Sequence, residues 1–139
     1  MNYPHIALAG LGAFVGYMIL GAITFALLPL REEFRKYPAV YRPQEEIMKA
    51  MPAGMAAMLM AMLALAVMYA LSYRGGSGLA GGARFGALIG IFSIGAFVVH
   101  NYVNLNIGLA LTMQQSVAYF VEWLVSGIAI GLIYRPKSS

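Results

Sequence analysis

Long stretches that are almost free of charge alternate with short charged ones along this chain. The first apolar stretch covers residues 6–30, and the others cover 50–73, 85–106 and 113–134. Each is about as long as the roughly 20 residues that an α-helix needs to cross a bilayer. The pattern predicts an all-α polytopic membrane protein, a four-helix transmembrane bundle that forms a single domain over residues 1–139.

The connection between the first two spans is a juxtamembrane connector over residues 31–49, rich in charged residues and tyrosine. Pro43 is followed by Gln44 and two glutamates. This order is typical of a helix start, because proline suits the first turn and acids favour the helix N-terminus. We expect the second helix to begin there, before it enters the hydrocarbon.

The other two connections are shorter. Residues 74–84 are rich in glycine, which predicts a flexible loop. Residues 105–113 carry no charge and predict a turn. Thr112, with Gln115 three residues later, matches a capping box, so the fourth helix is predicted to begin directly after this turn.

The composition points to the same class of protein. Hydrophobic residues make up 61% of the chain and charged residues only 10%, against roughly 25% charged in a soluble domain. The absence of cysteine excludes a disulfide framework and thiolate chemistry. The net charge of +4 comes from isolated basic residues, which fit anchoring at lipid headgroups better than binding to nucleic acid phosphates. We expect the lipid bilayer as a partner, no nucleic acid and no cofactor.

Basic residues divide almost evenly between the two sides of the membrane. The side with the chain ends has four and the side with the connector has five, namely Arg74, Arg84, Arg135 and Lys137 against Arg31, Arg35, Lys36, Arg42 and Lys49. The turn between the last two spans has none, which favours chain ends in the cytoplasm. The first span is long and lacks a basic leader, so we expect it to be retained.

Six polar side chains inside the last two spans form the candidate site. They are His100, Asn101 and Asn104 in the third span and Gln115, Tyr119 and Glu122 in the fourth. His100 and Glu122 each lie eleven positions from a predicted turn centre at residue 111, which would bring them to the same depth. An acid inside a span should pair, be protonated or face the bundle interior. The site is predicted to be either a structural polar clasp or an intramembrane binding site for a proton, a metal ion or a small ligand.

Three glycine pairs with four-residue spacing predict faces for helix packing, within the chain or between subunits. They are Gly12 and Gly16, Gly86 and Gly90, and Gly127 and Gly131. The first and third spans also share a pattern of glycine and alanine. It is compatible with two parallel hairpins related by a pseudo-twofold axis, and chance similarity between packed spans explains it too.

Four methionines form a stripe at helical spacing in the second span, at Met51, Met55, Met58 and Met62. Thioether sulfurs are ligands for Cu(I), so the stripe is a candidate copper site. Flexible methionine side chains also fill irregular gaps between packed helices, which is the alternative interpretation.

The second half of the chain, residues 82–136, reads GARFGALIGIFSIGAFVVHNYVNLNIGLALTMQQSVAYFVEWLVSGIAIGLIYRP. A glycine-rich third span with a polar end is followed by a short uncharged turn and a fourth span that ends in Gly127-x-x-x-Gly131. This segment resembles an uncharacterised family of small bacterial four-span integral membrane proteins. The resemblance implies the four-span architecture and no established activity.

The sequence offers no pair of a nucleophile and a base, and its glycine-rich loop lacks the Lys-Ser/Thr ending of a phosphate-binding loop. Small size and several packing faces predict a non-catalytic accessory or assembly subunit of a larger membrane complex. Its partners would be other membrane subunits or a second copy of the chain. The alternative is a binding or transport protein that uses the polar site between the third and fourth spans.

Overall fold

The computed structural model describes residues 2–136, so Lys137 of the orientation prediction lies outside the described residues. The helical segments within that range are α1 (Tyr3–Leu27), α2 (Leu30–Arg35), α3 (Gln44–Ser72), α4 (Gly78–Ser93), a π-helical segment (Ile94–Val99), α5 (His100–Asn104) and α6 (Leu109–Ile133).

Four helices in the described range are long and apolar enough to cross a membrane. They are α1, α3, α6 and a third span in which α4, the π-helical segment and α5 run on as one helix of 27 residues, Gly78–Asn104. The prediction of an all-α four-helix membrane protein is therefore confirmed. We call the side with residues 28–43 and 105–108 the connector side, and the side with residues 73–77 and the chain ends the terminal side.

The second span begins at Gln44, as predicted, with Glu45 and Glu46 in its first turn. The helix continues without a break through Pro52. Acids in the first turn interact favourably with the exposed N–H groups of the helix start. The start of α3 is therefore set by local sequence alone.

The third span begins earlier than predicted. The Ser77 side chain accepts a hydrogen bond from the backbone N–H of Ala80 and so caps α4, which begins at Gly78. Residues 78–84 are therefore helical and do not belong to a flexible loop. A serine cap satisfies an N–H group that a helix start otherwise leaves unpaired, which outweighs the low helix propensity of the glycines that follow.

The fourth span also begins earlier than predicted, at Leu109. Thr112 lies inside the first turn of α6, and its hydroxyl donates to the carbonyl oxygen of Gly108 at 3.0 Å instead of capping the helix. The last turn is therefore confined to residues 105–108. This shift changes the register of the last two spans.

The tightest helix pair is α4 with α6, which meet through glycine. On α4 these residues follow at four-residue intervals, at Gly78, Gly82, Gly86 and Gly90, and they face Gly127, Gly131 and Phe120 of α6. A methyl group added at Gly82 would lie 3.0 Å from the Cα atom of Ile128, and one added at Gly86 would lie 2.9 Å from that of Leu124. Glycine therefore lets the two backbones approach closely, and in lipid such van der Waals contact is what holds helices together.

The first two spans pack against α6 on the terminal side. Ala9 and Ala13 of α1 and Met62 of α3 are fully buried in one cluster with Ile130 of α6. Aromatic rings close this end of the bundle, where Tyr73 and Tyr134, from the ends of α3 and α6, stack edge to face with centroids 5.5 Å apart. The internal repeat stays a prediction, since the packing is centred on α6.

On the connector side, α2 and the turns after it fold over the beginning of α6. Leu30 is buried with Leu111 and Ala118 in a second apolar cluster. The Tyr37 hydroxyl accepts a hydrogen bond of 2.9 Å from the backbone N–H of Gly108. The connector is therefore not a free loop, because it is tied to the last turn by this bond and to α6 by apolar contact.

Candidate functional site

Glu122 lies near the middle of α6 and is only 6% exposed. Its carboxylate accepts a hydrogen bond of 2.6 Å from the hydroxyl of Thr24 on α1. The hydroxyl of Tyr17, two turns earlier on the same helix, also contacts the carboxylate. The polar partners of Glu122 therefore come from the first span and not from the third.

The relative shift of α1 and α6 brings Thr24 to Glu122. Gly12 lies beside the side chain of Ile133. A Cβ atom added at Gly21 would lie 3.8 Å from a carboxylate oxygen of Glu122. Thr24 is three residues from the end of α1, whereas Glu122 is in the middle of α6. The first span thus ends at the depth of the site, and the connector fills the space beyond it.

The predicted pairing of His100 with Glu122 is not formed. Gly78 meets Gly131 and Gly82 meets Gly127, so each step along α4 matches an equal step back along α6. Continued to His100, this register reaches the level of residue 109, thirteen residues or about 20 Å from Glu122 at 1.5 Å per residue. Most of this displacement comes from the turn, which lies at residues 105–108 instead of being centred on residue 111.

The three polar residues of the third span lie at its connector-side end and face outward. The side chains of His100, Asn101 and Asn104 are exposed, and the Asn104 amide donates only to the backbone carbonyl of His100 at 2.7 Å. The structure therefore separates these three residues from the group on α6.

The three polar residues of α6 do form one continuous stripe. Tyr119 lies between Gln115 and Glu122, and Gln115 lies near the hydroxyl of Tyr41 in the connector. Burial raises the pKa of the Tyr41 hydroxyl, while the neighbouring Gln115 side chain acts in the opposite direction. The stripe runs from Gln115, beneath the connector, to the carboxylate in the middle of α6.

Two cavities flank this stripe and share Tyr119 as a wall. The first, of about 140 Å³, lies between α1, α2 and α6 and contains the Glu122 carboxylate. Its walls are formed by Gly21, Thr24, Phe25, Leu30, Phe34, Gln115, Ala118, Tyr119 and Glu122. The second, of about 130 Å³, lies between the four spans and is lined by Tyr17, Met58, Ser93, Phe97, Tyr119 and Trp123. We call the first one the Glu122 cavity.

Glu122 has hydroxyl partners but no cationic one. Among residues 2–136, the ion pair that forms is between Lys36 and Glu33 in the connector, and no basic side chain pairs with Glu122. Burying an uncompensated carboxylate in a membrane is costly, so such a group binds a proton or a cation, or is held by donors. The arrangement can therefore hold a proton or a small cation at the carboxylate.

The methionine stripe of α3 is divided among different surroundings. Met62 is fully buried in the terminal-side core, and Met58 lines the second cavity. Met51 and Met55 are 39% and 40% exposed. Packing accounts for the two buried members, and copper binding by the stripe stays a prediction.

The glycine pairs are likewise divided. Gly86, Gly90, Gly127 and Gly131 pack within the chain, between α4 and α6. Gly12 faces an α6 side chain, whereas a Cβ atom at Gly16 would meet no atom within 4 Å. The sequence prediction omits Gly78 and Gly82 because it assigns them to a loop, although their four-residue spacing continues that of Gly86 and Gly90.

The sequence prediction also omits Tyr17 and Thr24, the partners that α1 provides. A signal for them exists, because Tyr17, Gly21 and Thr24 follow the same spacing as the polar stripe Gln115, Tyr119 and Glu122. Two stripes with equal spacing can face each other across an antiparallel pair. That spacing does not predict whether α1 or the third span faces the polar stripe of α6.

Comparison of the chain with protein-family models, with curated proteins and with solved structures finds no match. The resemblance of residues 82–136 to a four-span family therefore stays a prediction.

Proposed function

We propose that this chain is a non-catalytic subunit of a larger membrane assembly, in which it docks to another membrane subunit or to a second copy of itself. The proposal includes a location in the bacterial cytoplasmic membrane, with both chain ends in the cytoplasm. The assembly role is supported by the connector-side half of α3, which lacks packing partners among residues 2–136.

Between Gln44 and Ala57 no residue is buried, and every residue except Ala50 is exposed. The segment is about 21 Å long at 1.5 Å per residue. The same helix is fully packed further on, where Leu63 meets Gly10 of α1 and Met62 is buried. The two helices are therefore in contact in their terminal-side halves and not in their connector-side halves.

The exposed segment has the composition of a helix interface in lipid. Small residues recur on it at Ala50, Ala53, Gly54 and Ala57. Small side chains let the backbone of a neighbouring helix approach closely. In lipid the hydrophobic effect does not drive helices together, so association depends on the van der Waals contact that this approach allows. A Cβ atom at Gly54 would meet no atom within 4 Å, so this face is open in the single chain.

Native purification tests this proposal. The full chain, extracted from its own membrane in a mild maltoside detergent, is expected to migrate with stoichiometric partners or as a homo-oligomer in native mass spectrometry. Gly54→Leu should reduce that association several-fold, because the larger side chain holds the partner helix away.

The matched control is Gly95→Leu, on the π-helical segment. Gly95 is exposed too, and a Cβ atom there also meets nothing within 4 Å. It should leave the association unchanged. A wild-type chain that is monomeric under these conditions would contradict the proposal, as would equal effects of the two substitutions.

A second candidate function is binding or transport of a small ligand at the polar site. The observation that favours it is the Glu122 cavity, where a buried carboxylate without a basic partner opens into about 140 Å³ of space. A ligand that enters this cavity should alter the fluorescence of Trp123, the single tryptophan of the chain. Its ring packs against that of Tyr17 at a tilt of 43°, with centroids 5.4 Å apart, beside Glu122.

A further inference from the structure

We infer that the Glu122 cavity binds the small alkylammonium group of an organic cation. This inference rests on the second candidate function, a binding site at Glu122, and adds the chemical class of the ligand. It follows from the charge of the cavity, its aromatic walls and its size.

The charge of the cavity selects a cation. Glu122 is the one ionisable carboxylate in its lining, and no lysine, arginine or histidine takes part in the wall. A bound anion would lie against this carboxylate with nothing to compensate it, whereas a bound cation neutralises a charge that is costly to bury in a membrane.

The walls select an organic cation over a metal ion. Three aromatic rings line the cavity, those of Phe25, Phe34 and Tyr119. Phe25 and Phe34 stack with centroids 6.5 Å apart, which holds two of these rings side by side at the junction of α1 and α2. Aromatic faces attract ammonium groups through their quadrupole, whereas Ca²⁺ and Mg²⁺ require about six or more oxygen ligands.

The size of the cavity selects a small group. A volume of about 140 Å³ equals the space that roughly five water molecules occupy in the liquid. That space accommodates a cation such as tetramethylammonium. The same group also occurs at the end of phospholipid headgroups, and Leu30 and Phe34, on the connector side, line the cavity.

A fluorescence titration of the full chain in maltoside, which contains no ammonium group, tests the inference. Tetramethylammonium chloride is expected to shift Trp123 emission in a saturable way and to raise the unfolding temperature. tert-Butanol, which has a similar shape and no charge, should have neither effect, and sodium chloride controls for ionic strength.

Variants assign the effect to the cavity. Glu122→Gln should weaken tetramethylammonium binding at least tenfold. Glu33→Gln removes the other buried acid, which pairs with Lys36 outside the cavity lining, and should leave binding unchanged. If Glu122→Gln does not fold, Phe34→Leu keeps the carboxylate and removes one ring, and about threefold to tenfold weaker binding is expected.

A second arm separates the two sources of the group. Nanodiscs of phosphatidylethanolamine and of phosphatidylglycerol are compared at high ionic strength, which screens the negative surface of phosphatidylglycerol. Under these conditions a headgroup ligand in phosphatidylethanolamine would compete with tetramethylammonium and weaken its apparent affinity relative to phosphatidylglycerol. Equal affinity in both lipids would identify a free cation as the ligand. Either result supports an alkylammonium site.

Three results would overturn the inference, and they differ in what else they overturn. If tert-butanol acts as well as tetramethylammonium, the ligand class is wrong and a binding site in the cavity stands. If Glu122→Gln binds tetramethylammonium as tightly as the wild type, the cation binds elsewhere and the inference is wrong. If neither compound alters a folded wild-type chain, both the ligand class and a small-ligand site in this cavity are contradicted.

Discussion

The two faces of α6 are held to their neighbours in different ways. Towards α4 the contact is made mainly by backbone, because glycines on both helices let the two backbones meet. Towards α1 and α2 the contact is made by a hydroxyl bonded to a buried carboxylate, by aromatic rings and around a cavity. The first face is suited to fixing the register of two helices. The second leaves space and an unpaired charge, which is what a binding site needs.

The largest expected effect is on the glycine face. Gly82→Ala places a methyl group 3.0 Å from the Cα atom of Ile128, and backbone cannot move aside as a side chain can. We expect the free energy of unfolding to fall by about 2–3 kcal/mol, measured by thermal unfolding in maltoside. Gly16→Ala is the control, since a methyl group there meets no atom within 4 Å. It should be neutral or stabilise the helix by up to about 1 kcal/mol. Equal losses would mean that the close backbone contact at Gly82 is not what stabilises this face.

A smaller effect is expected on the polar face. Thr24→Val keeps the shape of the side chain and removes the hydroxyl that donates to Glu122. The loss should be about 1–2 kcal/mol, because a buried acceptor is left with one donor fewer. Trp123 emission should change as well, since its ring packs against Tyr17 next to the carboxylate.

Thr112→Val is the matched control for Thr24→Val. The Thr112 hydroxyl bonds only within its own helix, to the carbonyl oxygen of Gly108, and that oxygen also accepts from the backbone N–H of Thr112. Stability should change much less than in Thr24→Val. A larger loss in Thr112→Val would show that the bond between α1 and α6 is not what stabilises this face.

The connector is expected to contribute less to stability than the hydrogen bond between Thr24 and Glu122. Tyr37→Phe removes the acceptor of the Gly108 N–H and should cost about 1 kcal/mol. Amide hydrogen exchange over residues 28–41 should become faster, because the bond ties the connector to the last turn. Tyr102→Phe, at an exposed tyrosine of α5, should leave exchange unchanged. Unchanged exchange in Tyr37→Phe would show that apolar packing alone holds the connector over the cavity.

The smallest effect is expected from His100→Ala. His100 is exposed and lies far from Glu122 along the helices, so unfolding should change by less than about 0.5 kcal/mol. The measurement is the same thermal unfolding, with Trp123 emission as a local probe. A loss as large as that of Thr24→Val would restore the pairing of His100 with Glu122 that the sequence predicts.

The register of the last two spans shows how a sequence prediction can be right in its parts and wrong in the pairing. The two spans exist, Glu122 is buried and the stripe from Gln115 to Glu122 is continuous. The partner is wrong because the turn lies a few residues before its predicted centre. In an antiparallel pair every residue of error in the turn centre displaces the facing residue by two.

Sequence alone determined the class of this protein, its four spans and the acid that one of them carries. The length of each uncharged stretch determines these features, because lipid excludes unpaired charge and requires each span to satisfy its own backbone hydrogen bonds. Only the tertiary structure decided which helix faces Glu122, how far α1 is shifted along α6, and that the connector closes a cavity above the carboxylate. Those features depend on the approach distance of glycine backbones and on one short turn. The polar pattern along a helix records which face is polar, but not which neighbour that face meets.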